Sequence, residues 1–163
     1  MVTELLDDAA ERRIAADLTL GDTVKKSVIA ARRGQGTFRS NVERIERSCR
    51  MTGITNSSLL IASHIKPWRA CSSAQERLDG QNGLLLTPDA DLLFDRGFIS
   101  FADDGNVLVS PRVDDADMRR LGFEHLTHDR IGFAEAPTVW GSTGFADRQR
   151  RYMDYHRTEV FLS

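Results

Sequence analysis

Apolar and polar positions alternate in short blocks along the chain, and the clearest blocks lie between Leu59 and Phe101. Two apolar runs, Leu59-Leu60-Ile61-Ala62 and Leu84-Leu85-Leu86, have the length and polar borders of buried strands. The loop between them is polar, opening at His64 and closing at Asn82. A short acidic helix is predicted next. Pro88 suits its first position, Asp89 and Asp91 its positive end, and Leu92, Leu93 and Phe94 its apolar face, while Gly97 can end it in the left-handed conformation.

The flanking patterns are helical before this stretch and mixed after it. Asp22 to Arg33 reads as one helix broken by Gly34-Gln35-Gly36, and a second helix is predicted from about Phe38 to Cys49, with Phe38, Val42, Ile45 and Cys49 turned inward. Phe98 to Phe101 and Asn106 to Ser110 flank Ala102-Asp103-Asp104-Gly105, a hairpin expected to buttress the acidic helix. Residues 111–138 are poorly patterned. The tail from Gly144 to Phe161 begins with a helix that aligns Phe145, Gln149, Tyr152 and His156, and its aromatic area suits wrapping the core. The expected class is therefore α+β: a small antiparallel sheet, flanking N-terminal helices and a C-terminal helix.

Composition narrows the class of protein. A chain of 163 residues with 40% hydrophobic and 28% charged side chains is ordinary for a globular domain. We expect an acidic arm or linker over residues 1–21 and one domain over 22–163. No apolar run approaches a membrane span, and Met1-Val2-Thr3-Glu4 leads into no secretory segment, so a cytoplasmic location is expected. Cys49 and Cys71 form no CxxC pair; a structural zinc is not expected, nor is a disulfide in a reducing compartment.

Charge is distributed unevenly behind a formal net charge of −2. Residues 1–21 carry five acidic against two basic side chains, whereas residues 22–50 carry eight basic against three acidic. That basic block, with Arg32, Arg33 and Arg39 around the glycines, is the expected bed for a phosphate backbone. Lys66 and Arg69 in the polar loop are further candidate DNA contacts, and Trp68 is expected to anchor that loop against the core.

Hydrolysing a phosphodiester requires a base for water, a cation for the developing charge, and a rigid frame. His64 is the natural base, since imidazole titrates near neutrality. Asn82 can either tie the loop ends together or orient the imidazole. Asp91 and Asp95, four apart on a helix, present two carboxylates from one face to a shared cation. Hard oxygen donors point to one Mg²⁺ or Mn²⁺. His125 and His128 lack a third ligand nearby and sit in a turn-like stretch, so they are not read as a metal pair.

Ala62-Ser63-His64-Ile65-Lys66-Pro67-Trp68, Asn82-Gly83-Leu84-Leu85-Leu86 and Asp91-Leu92-Leu93-Phe94-Asp95-Arg96-Gly97 together resemble the HNH endonuclease family, more narrowly its branch in bacterial restriction and anti-phage defence proteins. The resemblance is dense over residues 59–101 and looser over 22–58 and 144–161. It implies a ββα-metal core at about 59–97, a metal-dependent DNA endonuclease with His64 as base and Asn82 in support, and a fused or separate sensor domain; a homodimer is compatible with it. The chain departs from the family in two places. Ala90 and Asp91 stand where the family usually has a metal-binding His, and Ser63 where it often has Asp or His as another metal ligand, so the resemblance makes the Ser63 hydroxyl a weak third ligand beside Asp91 and Asp95. The competing readings are therefore an HNH-fold DNA-binding module without catalysis and a protein-interaction domain.

Overall fold

The computed structural model of the chain describes residues 13, 15–17, 21–126 and 144–163, with the side chains of Ala31 and Arg32 outside that description. The acidic stretch 1–21 and residues 127–143, including His128, fall largely or wholly outside the described residues. Helix α1 spans Asp22–Glu43 without interruption. The expected break at Gly34-Gln35-Gly36 does not occur, and the second helix to Cys49 is absent. Each helical glycine costs roughly 1 kcal/mol relative to alanine, but Phe38 and Val42, 2% and 0% exposed, anchor the far end of α1 on the sheet. Tertiary burial outweighs the local propensity. Ile45 lies beyond the helix and is exposed, contrary to its expected inward place, while Cys49 is buried.

The apolar runs form an antiparallel hairpin, β1 (Ile61–His64) with β2 (Gly83–Leu86), in the register Ile61↔Leu86 to His64↔Gly83. The first strand starts two residues later than the apolar run, so His64 ends the strand instead of opening the loop. Helix α2 (Ala74–Leu78) interrupts the loop, capped by the Ser73 hydroxyl, which accepts from the Glu76 amide. Helix α3 (Pro88–Asp95) follows as expected, with Gly97 at φ 73° closing it.

Helices α1 and α3 both contact the hairpin. Side chains alternate along a strand, so neighbours in β1 face different helices. His64 stacks on Phe38 of α1, whereas Ser63 lies against the carboxylates of α3. Gly83, opposite His64, is where α1 comes closest: a Cβ there would stand 2.2 Å from Val42 Cγ2 and 2.8 Å from Phe38 Cζ.

A second hairpin joins β3 (Ile99–Phe101) to β4 (Val107–Val109), and α4 (Asp115–Arg120) follows. Helix α5 (Asp147–Glu159) wraps the core, burying Gln149, Met153 and His156, with Phe145 just before it. Gln149 Nε2 donates to Glu46 Oε1 at 2.8 Å, and Arg50, ion-paired with Glu46, lies over the Phe145 ring at 4.1 Å. Tyr152 Oη donates to Asp79 Oδ2 at 2.9 Å, joining α5 to the loop between β1 and β2. No helix among the described residues is long and apolar enough to cross a membrane. Cys49 and Cys71 are both free and buried.

Candidate active site

His64 sits at the end of β1 with its ring stacked on Phe38, centroids 3.6 Å apart and planes at 9°, and with the Trp68 ring perpendicular to it, centroids 5.6 Å apart. Its Nε2 lies 2.9 Å from the Arg77 carbonyl oxygen. A carbonyl only accepts, so Nε2 carries the proton of the neutral ring and Nδ1 keeps its lone pair. Partial burial holds the imidazole below its usual pKa, with the Arg77 carbonyl pulling weakly the other way. At neutral pH the ring is therefore a free base with one defined basic atom.

The Arg77 carbonyl is in place because Asn82 holds the loop. Asn82 is fully buried; its Oδ1 accepts from the Lys66 amide at 2.8 Å, and its Nδ2 donates to the Lys66 and Glu76 carbonyls at 3.2 and 3.3 Å. Its own carbonyl accepts from the Ile65 amide at 3.0 Å. Of the two roles open to it, the geometry shows the first: it ties the loop ends and does not bond the imidazole. Its effect on His64 passes through the neighbour of Arg77.

Ser63, His64, Arg69, Asp91, Asp95 and Arg96 line one cleft of ≈ 580 Å³. Desolvation raises the Asp91 carboxyl above the usual carboxylate range. Asp95, though it keeps an exposed edge, is raised by desolvation and by the charge of Asp91, with Ser63 and Arg69 acting against the rise. Ser63 Oγ is buried between these groups and makes no hydrogen bond of ordinary length. Two carboxylates that repel each other beside an unpartnered hydroxyl suit a hard cation. Among the described residues no three His, Cys, Asp or Glu side chains are gathered to hold a metal ion. The oxygen donors that are present, two carboxylates and a hydroxyl, are hard ligands of the kind that Mg²⁺ and Mn²⁺ take.

Of the expected DNA contacts, only Arg69 lines the cleft with its side chain exposed. Lys66 is not the free cation expected: its Nζ pairs with Glu76 Oε1 at 2.8 Å and lies 5.2 Å from the Tyr155 ring. Arg39 is likewise occupied, donating to the Leu60 carbonyl at 2.8 Å and to the Ser57 carbonyl, and pairing with Glu43. Arg33 is exposed on α1, and the side chain of Arg32 lies outside the described residues. Because Gly34 and Gly36 are helical, their amides form no phosphate loop. Trp68 is 40% exposed and walls the cleft instead of anchoring the loop in the core.

Sequence reasoning missed the Arg77 carbonyl, a backbone atom that no residue type announces. The stacking of Phe38 on His64 also escaped it, although the spacing of Phe38 and Val42 had marked that face as inward. Residues 49–102 match the family model described as HNH endonuclease. No curated protein matches the chain.

Proposed function

Residues 49–102 belong to the HNH endonuclease family, and from that premise we propose that the chain is a metal-dependent DNA endonuclease with His64 as its general base. The observation that carries this reading is the fixed tautomer of His64, whose Nδ1 is left basic in the cleft that also holds Asp91 and Asp95. Nδ1 takes a proton from water as the water oxygen bonds to phosphorus; the bond from phosphorus to the leaving sugar oxygen breaks, and that oxygen is protonated from solvent. Asp91, Asp95 and Ser63 would hold one Mg²⁺ or Mn²⁺, which supplies positive charge to the phosphate. Asn82 keeps the loop closed, Arg77 fixes the imidazole through its carbonyl, and Arg69 supplies a cation at the rim.

The finer reading is a restriction or anti-phage defence effector acting with a fused or separate sensor domain. It rests on the resemblance of residues 59–101 to that branch. A second reading, a DNA-binding module without catalysis, is favoured by one observation, the small ligand set.

Nicking of supercoiled plasmid in Mg²⁺, in Mn²⁺ and in a chelator separates the two. We expect nicking with either metal, none in the chelator, and a loss of about 10²–10⁴-fold in His64→Ala. Plasmid retarded on a gel but never nicked would establish the binding module in its place.

A further inference from the structure

His64 forms part of the wall of a second cleft, of ≈ 500 Å³, whose lining does not include Asp91 or Asp95. The two clefts differ in chemistry. Both are walled by Ile61, Ala62, His64 and Trp68; to these the first adds two carboxylates and two arginines, and the second adds Gln35, Phe38 and Arg39. Arg39 is already committed to the Leu60 and Ser57 carbonyls and to Glu43. What remains is a mainly apolar slot with the Gln35 amide in its lining.

Trp68 lines both clefts. Its indole is 40% exposed, stands perpendicular to the His64 ring with centroids 5.6 Å apart, and has the Arg77 guanidinium over it at 5.5 Å from the ring centre, so the exposed part of the ring is what a further group could stack on. Helix α1 passes close by: a Cβ on Gly34 would touch Trp68 Cη2 at 3.4 Å. A cleft bearing carboxylates and arginines and a mainly apolar aromatic slot meeting at the general base match the two halves of a nucleotide, phosphate and base.

We infer that the second cleft holds one unpaired nucleobase of the strand being cut, stacked on Trp68, with the adjacent phosphate in the charged cleft beside His64. This rests on the nuclease reading above and adds the substrate class to it. A paired base has both faces covered by its neighbours and cannot enter such a slot without leaving the stack. The preferred substrate is therefore single-stranded or locally melted DNA. The amide of Gln35 offers both a donor and an acceptor to the edge of the base.

The test uses one oligonucleotide sequence as a single strand, a full duplex, a duplex with a short melted bubble, and single strands carrying one abasic nucleotide moved stepwise past the cut. Parent, Trp68→Ala and Trp68→Phe are compared by kcat/KM in Mn²⁺. Affinity for the same single strands is measured in chelator with the His64→Ala protein, with and without Trp68→Ala. We expect the single strand and the bubble to be cut at least tenfold faster than the duplex. The abasic nucleotide next to the cut should lower kcat/KM by about 5- to 150-fold, the range of one aromatic–base stack. Trp68→Ala should impose a similar loss on the intact strand and erase the abasic penalty, while Trp68→Phe retains most of the parent's rate. Equal cutting of duplex and single strand, or an abasic penalty undiminished in Trp68→Ala, would overturn the inference. If the parent cuts nothing, the nuclease reading fails, and the affinities in chelator still decide the slot: an abasic penalty that depends on Trp68 supports it, and identical affinities with and without the base refute it.

Discussion

Two histidines in this protein are built almost alike and differ at one nitrogen. His64 stacks on Phe38 with centroids 3.6 Å apart, and His156 stacks on Phe94 at 3.8 Å. Each places Nε2 against a backbone carbonyl, Arg77 at 2.9 Å and Phe94 at 3.1 Å, and burial lowers the pKa of each. The difference lies in the other nitrogen. Nδ1 of His156 accepts from the Ser100 hydroxyl at 3.0 Å, and its ring is 1% exposed. His64 is half-buried on a cleft, and none of its described hydrogen bonds involves Nδ1. An imidazole satisfied at both nitrogens is a core residue; one satisfied at a single nitrogen in a cleft is a base with a fixed tautomer.

Exchanging the effects of the two rings would break this comparison. Truncating His156 to alanine leaves the Phe94 carbonyl and Ser100 without their partner and opens a cavity under Phe94, a loss of about 2–5 kcal/mol in unfolding free energy. His64→Ala should lose turnover and little stability. Denaturant melts of both variants beside nicking rates provide the check, and a His156→Ala protein as stable as the parent would remove the contrast.

The pH dependence of folding sharpens the same point. Burial holds His156 down to about 4, with the Phe94 carbonyl acting weakly against it. Because its folded pKa lies below the unfolded value, its contribution is complete above the unfolded pKa near 6.5 and is lost as pH falls from there through about 4. The expected loss across that window is roughly 3 kcal/mol. Melting at stepped pH should show a slope that His156→Gln flattens.

Smaller effects separate the frame of His64 from its chemistry. Gly83→Ala would drive a methyl into Val42 and Phe38, costing about 1–3 kcal/mol and shifting the ring on which His64 rests. Nicking should fall further than stability alone explains, which rates measured at a temperature where the variant is fully folded would show. Asp91→Ala should raise the Mn²⁺ concentration for half-maximal nicking by about tenfold, through loss of one charged ligand. A metal curve that does not move would detach Asp91 from the cation.

Much of this was legible in the chain because it is local. Pro88 and Gly97 bracket α3, the two leucine-rich runs pair as β1 and β2, and His64 and Asn82 fall at the ends of the loop between them. The errors have a common cause, the influence of distant partners. Gly34 and Gly36 stay helical because Phe38 and Val42 bury against β2. Lys66 is drawn to Glu76 across the loop, and Trp68 remains at the surface because α1 and the cleft lie beside it. The proton position on His64 depends on a carbonyl thirteen residues away, which spacing could not disclose.

The bracing by α5 also sets a timescale. Its hydrogen bonds reach back 103 residues from Gln149 to Glu46, 73 from Tyr152 to Asp79 and 56 from His156 to Ser100. Contacts so far apart along the chain slow folding, because long loops must close before such contacts form. If they form after the rate-limiting step, weakening them quickens unfolding and leaves the folding rate nearly unchanged. Substitutions in α5 would then shorten the lifetime of the folded protein without changing how quickly it forms, and stopped-flow unfolding of Gln149→Ala would measure that lifetime directly.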